Sequence, residues 1–307
     1  MRAGWTIFLI ALLGAGCDAT GASEHEPEVV VEAYLVANEP LPGIRLTWTA
    51  DIDARYDAAL LAIIDADVVV DLIGATGAVE KSIPYAHDHS DPGVYYPQTP
   101  HVAIPRQTYR LEANVPGAGS AVTAETKIPG DFEIRRVSSD VVFYQGPERY
   151  EVDVTPSETD RDQSIFVFSI EALEPNLANL TPFYLDTIYE IGDGELYDPD
   201  TLDYAEIEPL LINASPPLNE ANYEHNPDGT VTVRLPWFAL VFYGRHRIST
   251  SAIDDAIYDF MRFQQIQQGG STLSPGEIPN VRDHVSGGRG VFGSMATVSA
   301  EMTVLRR

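Results

Sequence analysis

Along most of the chain apolar and polar residues alternate over short stretches, the period of a β-strand with one buried face. In Ile44-Arg45-Leu46-Thr47-Trp48-Thr49, Ile44, Leu46 and Trp48 fall on one face and Arg45, Thr47 and Thr49 on the other. Thr108 to Ala113 repeats the pattern with Tyr109, Leu111 and Ala113 inward, and Val122, Ala124, Thr126 and Ile128 follow it. Tyr150, Val152 and Val154 alternate with Glu151, Asp153 and Thr155. Four continuous apolar runs, Val29 to Val31, Val68 to Val70, Val141 to Tyr144 and Ile165 to Phe168, suit strands covered on both faces. Strands this short, separated by Gly, Pro, Asn and Asp, indicate sandwiches or barrels rather than alternating strand–helix units.

One segment has helical spacing instead. Ile253, Ile257, Phe260 and Met261 form a stripe that would pack on a sheet, Ser251 is placed to cap it, and Asp254 and Asp255 occupy the first turn, where the helix dipole favours acids. Gly269-Gly270 closes the far end, so the pattern predicts a helix over about 252–268. Asp53 to Ile64 has helix-favouring composition without a stripe and reads as a loop or short helical turn. The predicted fold is mainly β: an immunoglobulin-like or transthyretin-like β-sandwich over 28–129, then a second β-rich domain over 130–307 that carries the helix, with Pro129-Gly130 at the border. A proline- and acid-rich insertion spans Glu174 to Tyr223, and Ala296 to Leu305 reads as a closing strand.

The N-terminus breaks the β pattern. One positive charge at Arg2 precedes an unbroken apolar run from Trp5 to Leu13, which ends in Gly14-Ala15-Gly16, the form of a secretory signal peptide over 1–16. The run is too short to cross a bilayer, which takes about 20 apolar residues. Cys17 is the single cysteine, so it forms no intramolecular disulfide and no multi-thiolate metal site. Its position directly after Leu13-Gly14-Ala15-Gly16 resembles the lipobox of bacterial lipoproteins, whose cysteine is acylated and becomes the first mature residue; here Leu stands one step further out than usual. Lipidation of Cys17 is therefore expected, with residues 17–27 as a small, polar tether.

Composition narrows the partners. There are 19 Lys and Arg against 46 Asp and Glu, a formal net charge of −27. Nucleic-acid affinity rests on cationic side chains that neutralise phosphates, so neither nucleic acid nor an anionic membrane surface fits as a direct partner. With 44% hydrophobic and 21% charged residues the chain can build a core rather than stay disordered.

Val29-Val30-Val31-Glu32-Ala33-Tyr34-Leu35, the strand Ile44 to Trp48, and Ile64-Asp65-Ala66-Asp67-Val68 together resemble the opening of domain of unknown function 4249, a family of secreted bacterial lipoproteins. The family's C-terminal signature, an Asn before a glycine-rich turn and then Gly-Ile/Val-Phe-Gly, is similar to Asn280-Val281 through Gly287-Gly288-Arg289-Gly290-Val291-Phe292-Gly293, with Arg282 to Ser286 as a longer spacer here. The resemblance implies a cell-envelope lipoprotein, most naturally in the outer membrane, with an N-terminal β-sandwich. It also implies a genomic setting in which the family's genes often neighbour those of TonB-dependent outer-membrane receptors. It brings no catalytic residues.

Several constellations carry possible chemistry. Gly288-Arg289-Gly290-Val291-Phe292-Gly293 satisfies G-x-G-x-x-G, but dinucleotide binding needs a helix directly after it and a second strand beyond. Glycines at a tight turn, with Phe292 as a buried plug, are the expected alternative. His87 and His89, with Asp91 nearby, could face one metal ion if a third ligand such as His101 joined them; otherwise they lie in a polar loop turning at Pro92-Gly93. The acids Asp193, Glu195, Asp198, Asp200, Asp203, Glu206 and Glu208 offer hard oxygens for calcium, although the order of a twelve-residue calcium loop is absent. Tyr184, Tyr189, Tyr197 and Tyr204 interleave with them, a composition common at recognition surfaces, and are the expected partner or ligand contacts.

The sequence contains no G-x-S-x-G, H-E-x-x-H or P-loop, and the expected function is not enzymatic. Two readings follow. One is a lipid-anchored binding or accessory protein beside an outer-membrane transporter, with a surface adhesin as its near variant. The other is an envelope metal-dependent hydrolase that uses His87 and His89.

Overall fold

The computed structural model describes residues 26–51, 57–159, 163–185, 211–267 and 282–307. Cys17, Tyr189, Tyr197, Tyr204, the acids from Asp193 to Glu208, and Gly269-Gly270 lie outside the described residues. Seven strands precede Pro129-Gly130: β1 (Val29–Val36), β2 (Ile44–Trp48), β3 (Asp67–Ile73), β4 (Val79–His87), β5 (Val94–Pro97), β6 (Thr108–Asn114) and β7 (Val122–Lys127). After it come β8 (Ile134–Val137), β9 (Val141–Phe143), β10 (Glu151–Val154), β11 (Ile165–Ala172), β12 (Ile212–Ala214), β13 (Leu218–Asn219), β14 (Glu224–His225), β15 (Val231–Arg234) and β16 (Gly244–Ile253). Helix α1 (Asp255–Gln267) follows, then β17 (Val285–Ser286) and β18 (Arg289–Leu305). The fold is mainly β, as the alternation predicts.

One large sheet runs β12-β11-β16-β18-β1-β2-β5-β4-β3-β6-β7-β17, with β13 added on β11 and β9 on β18; a second, four-stranded sheet runs β14-β15-β10-β8. The strand that joins the large sheet is β18. Its first part, Arg289 to Met295, pairs parallel with β1, and Met295 to Val304 pairs antiparallel with β16. Strands from both sides of Pro129-Gly130 thus share one hydrogen-bonded sheet and one apolar core, which extends from Val29 to Val304.

Most alternating segments bury the faces they predict. Tyr109, Leu111 and Ala113 are fully buried, and Val122, Ala124, Thr126 and Ile128 all face the core. Two polar residues expected outward are buried instead. Thr47 is covered where the chain returns to bridge it at Ala62. Asp153 is held by Arg136 Nε at 2.6 Å and by the Thr232 hydroxyl at 2.7 Å, partners on the neighbouring strands that satisfy its carboxylate. The run Val141 to Tyr144 differs from a strand covered on both faces. β9 pairs only with β18 among the described residues, and Val141 and Phe143 lie 44% and 51% exposed. Its outer edge is blunted locally: the Ser139 hydroxyl receives the Val141 N–H and donates to the Val141 carbonyl.

The helix begins later than its composition suggests. Ser251 belongs to β16 and pairs opposite Thr297, so it does not cap α1. Asp254 does, accepting the Ile257 N–H on Oδ1 at 2.9 Å. The apolar stripe packs as predicted: Ile253 and Ile257 join Ile165 and Val291, with Phe260 and Met261 against them. Within Asp53 to Ile64, residues 58–60 form a turn rather than a helix.

Candidate functional site

A concavity of about 760 Å³ opens beside β7, at the junction of β16 and α1. Each wall follows from local sequence. The alternation of β7 turns Thr126 inward while Glu125 and Lys127 point out. On β18 Ser294 is fully buried in the continuous buried run Val291 to Ser294, and the break between β16 and α1 puts the cap residue Asp254 beside it and Thr126. The Thr126 hydroxyl donates to Asp254 Oδ2 at 2.5 Å and lies 2.5 Å from Ser294 Oγ; Ser294 Oγ is 3.4 Å from the same carboxylate oxygen.

Thr126 and Ser294 are buried and Asp254 is half-buried; around them the rim is charged. Arg106, Lys127, Glu158, Asp255 and His284 all line the cleft. Arg106 holds a left-handed backbone, φ 65°, which costs a non-glycine residue about 1 kcal/mol or more; its N–H bonds the Ile128 carbonyl and its guanidinium meets Glu158 at 2.6 Å. His284 Nε2 pairs with Asp259 Oδ2 of α1 at 2.8 Å. Chemically, the cleft presents hydroxyls, carboxylates and cations in a partly enclosed space, the makings of a site for a polar ligand.

Burial pushes the Asp254 carboxyl up from 3.8 to about 6, against the opposing pull of its hydrogen bonds from the Ile257 amide and the Thr126 hydroxyl. Because the folded-state value is raised, this group's stabilisation is fully present below pH 3.8 and is lost as pH rises through about 6. Asp254→Asn keeps a capping side chain without the charge, since Asn caps about as well as Asp. The variant is expected to gain about 1–3 kcal/mol over the parent at pH 7.5 and nothing at pH 4, in urea unfolding at both values. A loss of stability at pH 7.5 would contradict this account.

Elsewhere the structure disperses the predicted metal ligands. The His87 and His89 rings sit edge to face, 5.3 Å apart, but His87 Nε2 accepts the Gly93 N–H at 3.2 Å and Asp91 meets Arg45 at 3.3 Å. His101 lies between Lys81 Nζ and the Tyr109 hydroxyl, with its pKa lowered by burial and then by the Lys81 charge. Among the described residues no group of three or more His, Cys, Asp or Glu side chains is arranged to hold a metal. Tyr184, expected in a recognition loop, is instead half-buried against Leu180 and Phe242, and its hydroxyl accepts Asn213 Nδ2 at 3.1 Å. The turn Thr181–Leu185 folds it back: the Tyr184 and Leu185 amides both bond the Thr181 carbonyl.

The G-x-G-x-x-G segment runs directly into β18 and so has strand, not helix, after its first glycines, which removes the geometry that cradles a pyrophosphate. Its glycines serve packing, and Phe292 is the buried plug, with no exposure. The cleft trio was only partly legible in sequence. Thr126 stood out as the hydroxyl among inward apolar positions of β7, whereas its contact with Ser294 and Asp254 joins residues 168 and 128 positions apart.

These features define a mainly-β protein whose first and last strands lie side by side in one sheet, with a polar cleft at the sheet's seam. The chain belongs to the family domain of unknown function 4249, whose model matches residues 18–301. No curated protein matches it. Two solved structures show a remote likeness, both alpha-2-macroglobulin from Escherichia coli. The trypsin-activated form is 9% identical with a TM-score of 0.21 over 75% of this chain and 15% of its own. The elastase-activated form has the same identity and score over 91% of this chain and 23% of its own. This chain thus spans less than a quarter of the length of either.

Proposed function

We propose that the protein is a cell-envelope lipoprotein, anchored in the outer membrane through Cys17, that serves as a non-enzymatic binding or accessory component beside a TonB-dependent transporter. The observation that carries this reading is the continuity from Cys17 to β1. The lipobox-like segment is followed by a short polar stretch and then by a strand that lies inside the large sheet between β18 and β2, so acyl chains on Cys17 would tether the whole folded body. Membership in the family supports the transporter setting, through the neighbouring receptor genes that family resemblance implies. Among the described residues no helix is long and apolar enough to cross a membrane. The cleft beside Asp254 is the surface offered to a ligand or to the receptor. The hydrolase alternative at His87 and His89 loses support because their neighbours Gly93 and Arg45 engage His87 and Asp91.

The test uses the native, membrane-extracted protein. Wild type is expected in the outer-membrane fraction with an acylated N-terminal Cys17 by mass spectrometry, and to retain a TonB-dependent receptor in an affinity pull-down. Cys17→Ser should move essentially all of it to the soluble fraction. Soluble, unacylated wild type overturns the anchor. An acylated protein recovered without a receptor removes the transporter role and leaves an adhesin to test.

A further inference from the structure

β7 outlasts its partner on one edge. β17 pairs with it only through Ser286 opposite Thr123 and Val285 opposite Ala124, whereas β7 continues to Lys127. On the other edge β6 pairs with it from Val122 to Lys127, and the Ile128 N–H then bonds the Gln107 carbonyl. Backbone groups of an antiparallel strand alternate between its two edges. Ala124, Thr126 and Ile128 therefore turn theirs to β6, and Thr123 and Glu125 turn theirs outward. Thr123 meets β17; Glu125 lines the cleft and has no strand beside it among the described residues. The register puts His284 opposite Glu125, but its bond to Asp259 at 2.8 Å turns the chain toward α1 and ends the pairing there.

We propose that an extended, basic peptide segment of a partner protein docks in the cleft as a strand added to β7, in line with β17. The inference rests on the reading of the cleft as a binding surface and names the partner's chemistry; it does not need the lipid anchor. Three features of the cleft support it. Its wall follows β7 through four consecutive residues, Glu125 to Ile128, about 13 Å of strand, and its 760 Å³ lies within the range of about 300–1,000 Å³ for ligand sites. An added strand gains main-chain hydrogen bonds from the edge, while Ile165 and Ile253 on the opposing wall receive alternate side chains. Glu125, Glu158, Asp254 and Asp255 line the space against Arg106 and Lys127, in a chain of formal charge −27. That balance attracts basic side chains, repels acidic ones, and disfavours a second copy of this chain as the occupant.

Calorimetric titration of the mature, detergent-extracted protein with the capped pentapeptide Lys-Val-Lys-Val-Lys tests the docking, with Glu-Val-Glu-Val-Glu for comparison. The lysine peptide is expected to bind at least about tenfold more tightly. It should slow exchange of the Glu125 amide about tenfold or more and leave β12, at the far end of the large sheet, unchanged. Glu125→Pro removes the outward N–H without touching the β6 ladder, a change an edge strand tolerates, and should weaken binding about tenfold or more. Glu125→Gln keeps the N–H and should lose only about threefold. Should Glu125→Pro fail to fold, N-methylation of the peptide decides: one alternate set of its amides should abolish binding when methylated, and the other should leave it within about twofold.

Equal affinity for the two peptides, undiminished binding to a folded Glu125→Pro, or equal effects of the two methylation patterns overturns the proposal. So does a Glu125 amide already protected in the free protein, which would mean that this chain or a second copy fills the edge. Loss of the receptor in the pull-down with peptide binding intact removes the transporter role alone; loss of peptide binding with the receptor retained overturns the added strand alone.

Discussion

Gly290→Ala is expected to destabilise the protein by more than about 3 kcal/mol, since its Cβ would meet the closest contact of any described glycine. Gly290 has φ +107°, a conformation L side chains rarely adopt, and a Cβ there would lie 2.0 Å from the Val31 carbonyl oxygen. That oxygen belongs to β1, to which β18 is paired from Val30–Arg289 through Val36–Met295, so relief of the clash must pull apart the ladder that joins the two ends of the chain. Gly117→Ala separates the causes. Gly117 also has a positive φ, +86°, but nothing lies within 4 Å of its Cβ position, so only strain of about 1 kcal/mol is expected there. Urea unfolding of both variants checks the comparison, and a Gly290→Ala loss no greater than that of Gly117→Ala would show that the close approach does not matter.

Phe292→Ala should cost about 3–5 kcal/mol, the range for emptying a buried aromatic site. Phe292 is wholly buried, directly opposite Ala33 in the parallel ladder, and belongs to the main core cluster. Alanine on the small Ala33 side leaves little to collapse into the void, which places the loss toward the upper end. The urea midpoint should fall with its slope unchanged, and Phe238→Ala, at a residue 61% exposed, should stay within about 0.5 kcal/mol of the parent. Equal losses at the two positions would mean that burial is not what Phe292 contributes.

Strand identity was legible because it is local. Tyr109, Leu111 and Ala113 are spaced two apart, and any strand with one covered face must bury them together. Phe292 was legible for another local reason, as the one large apolar side chain set among the glycines of the turn into β18. Alternation fails at β9, where Val141, Val142 and Phe143 are all apolar. Whether both faces are covered depends on neighbours, and the chain supplies one only on the β18 side among the described residues. It fails again at Asp153, whose charge predicts the surface until Arg136 and Thr232 arrive from adjacent strands. Ser251 has the composition of a cap, but ten residues of β16 pair with β18 and extend the strand through it, so the next capping side chain, Asp254, takes the role.

The sequence by itself determined the β-rich class, the apolar stripe of α1, the buried plug at Phe292, the acidic balance and the place of Cys17, because each depends on composition or on spacing within a few residues. Tertiary structure alone decided that β1 and β18 lie side by side, that His87, His101 and Asp91 go to separate partners, and that Thr126, Ser294 and Asp254 meet. The β1–β18 pairing and the Thr126 contacts join positions more than a hundred residues apart, and the burial that raises the Asp254 carboxyl exists only once those elements have come together.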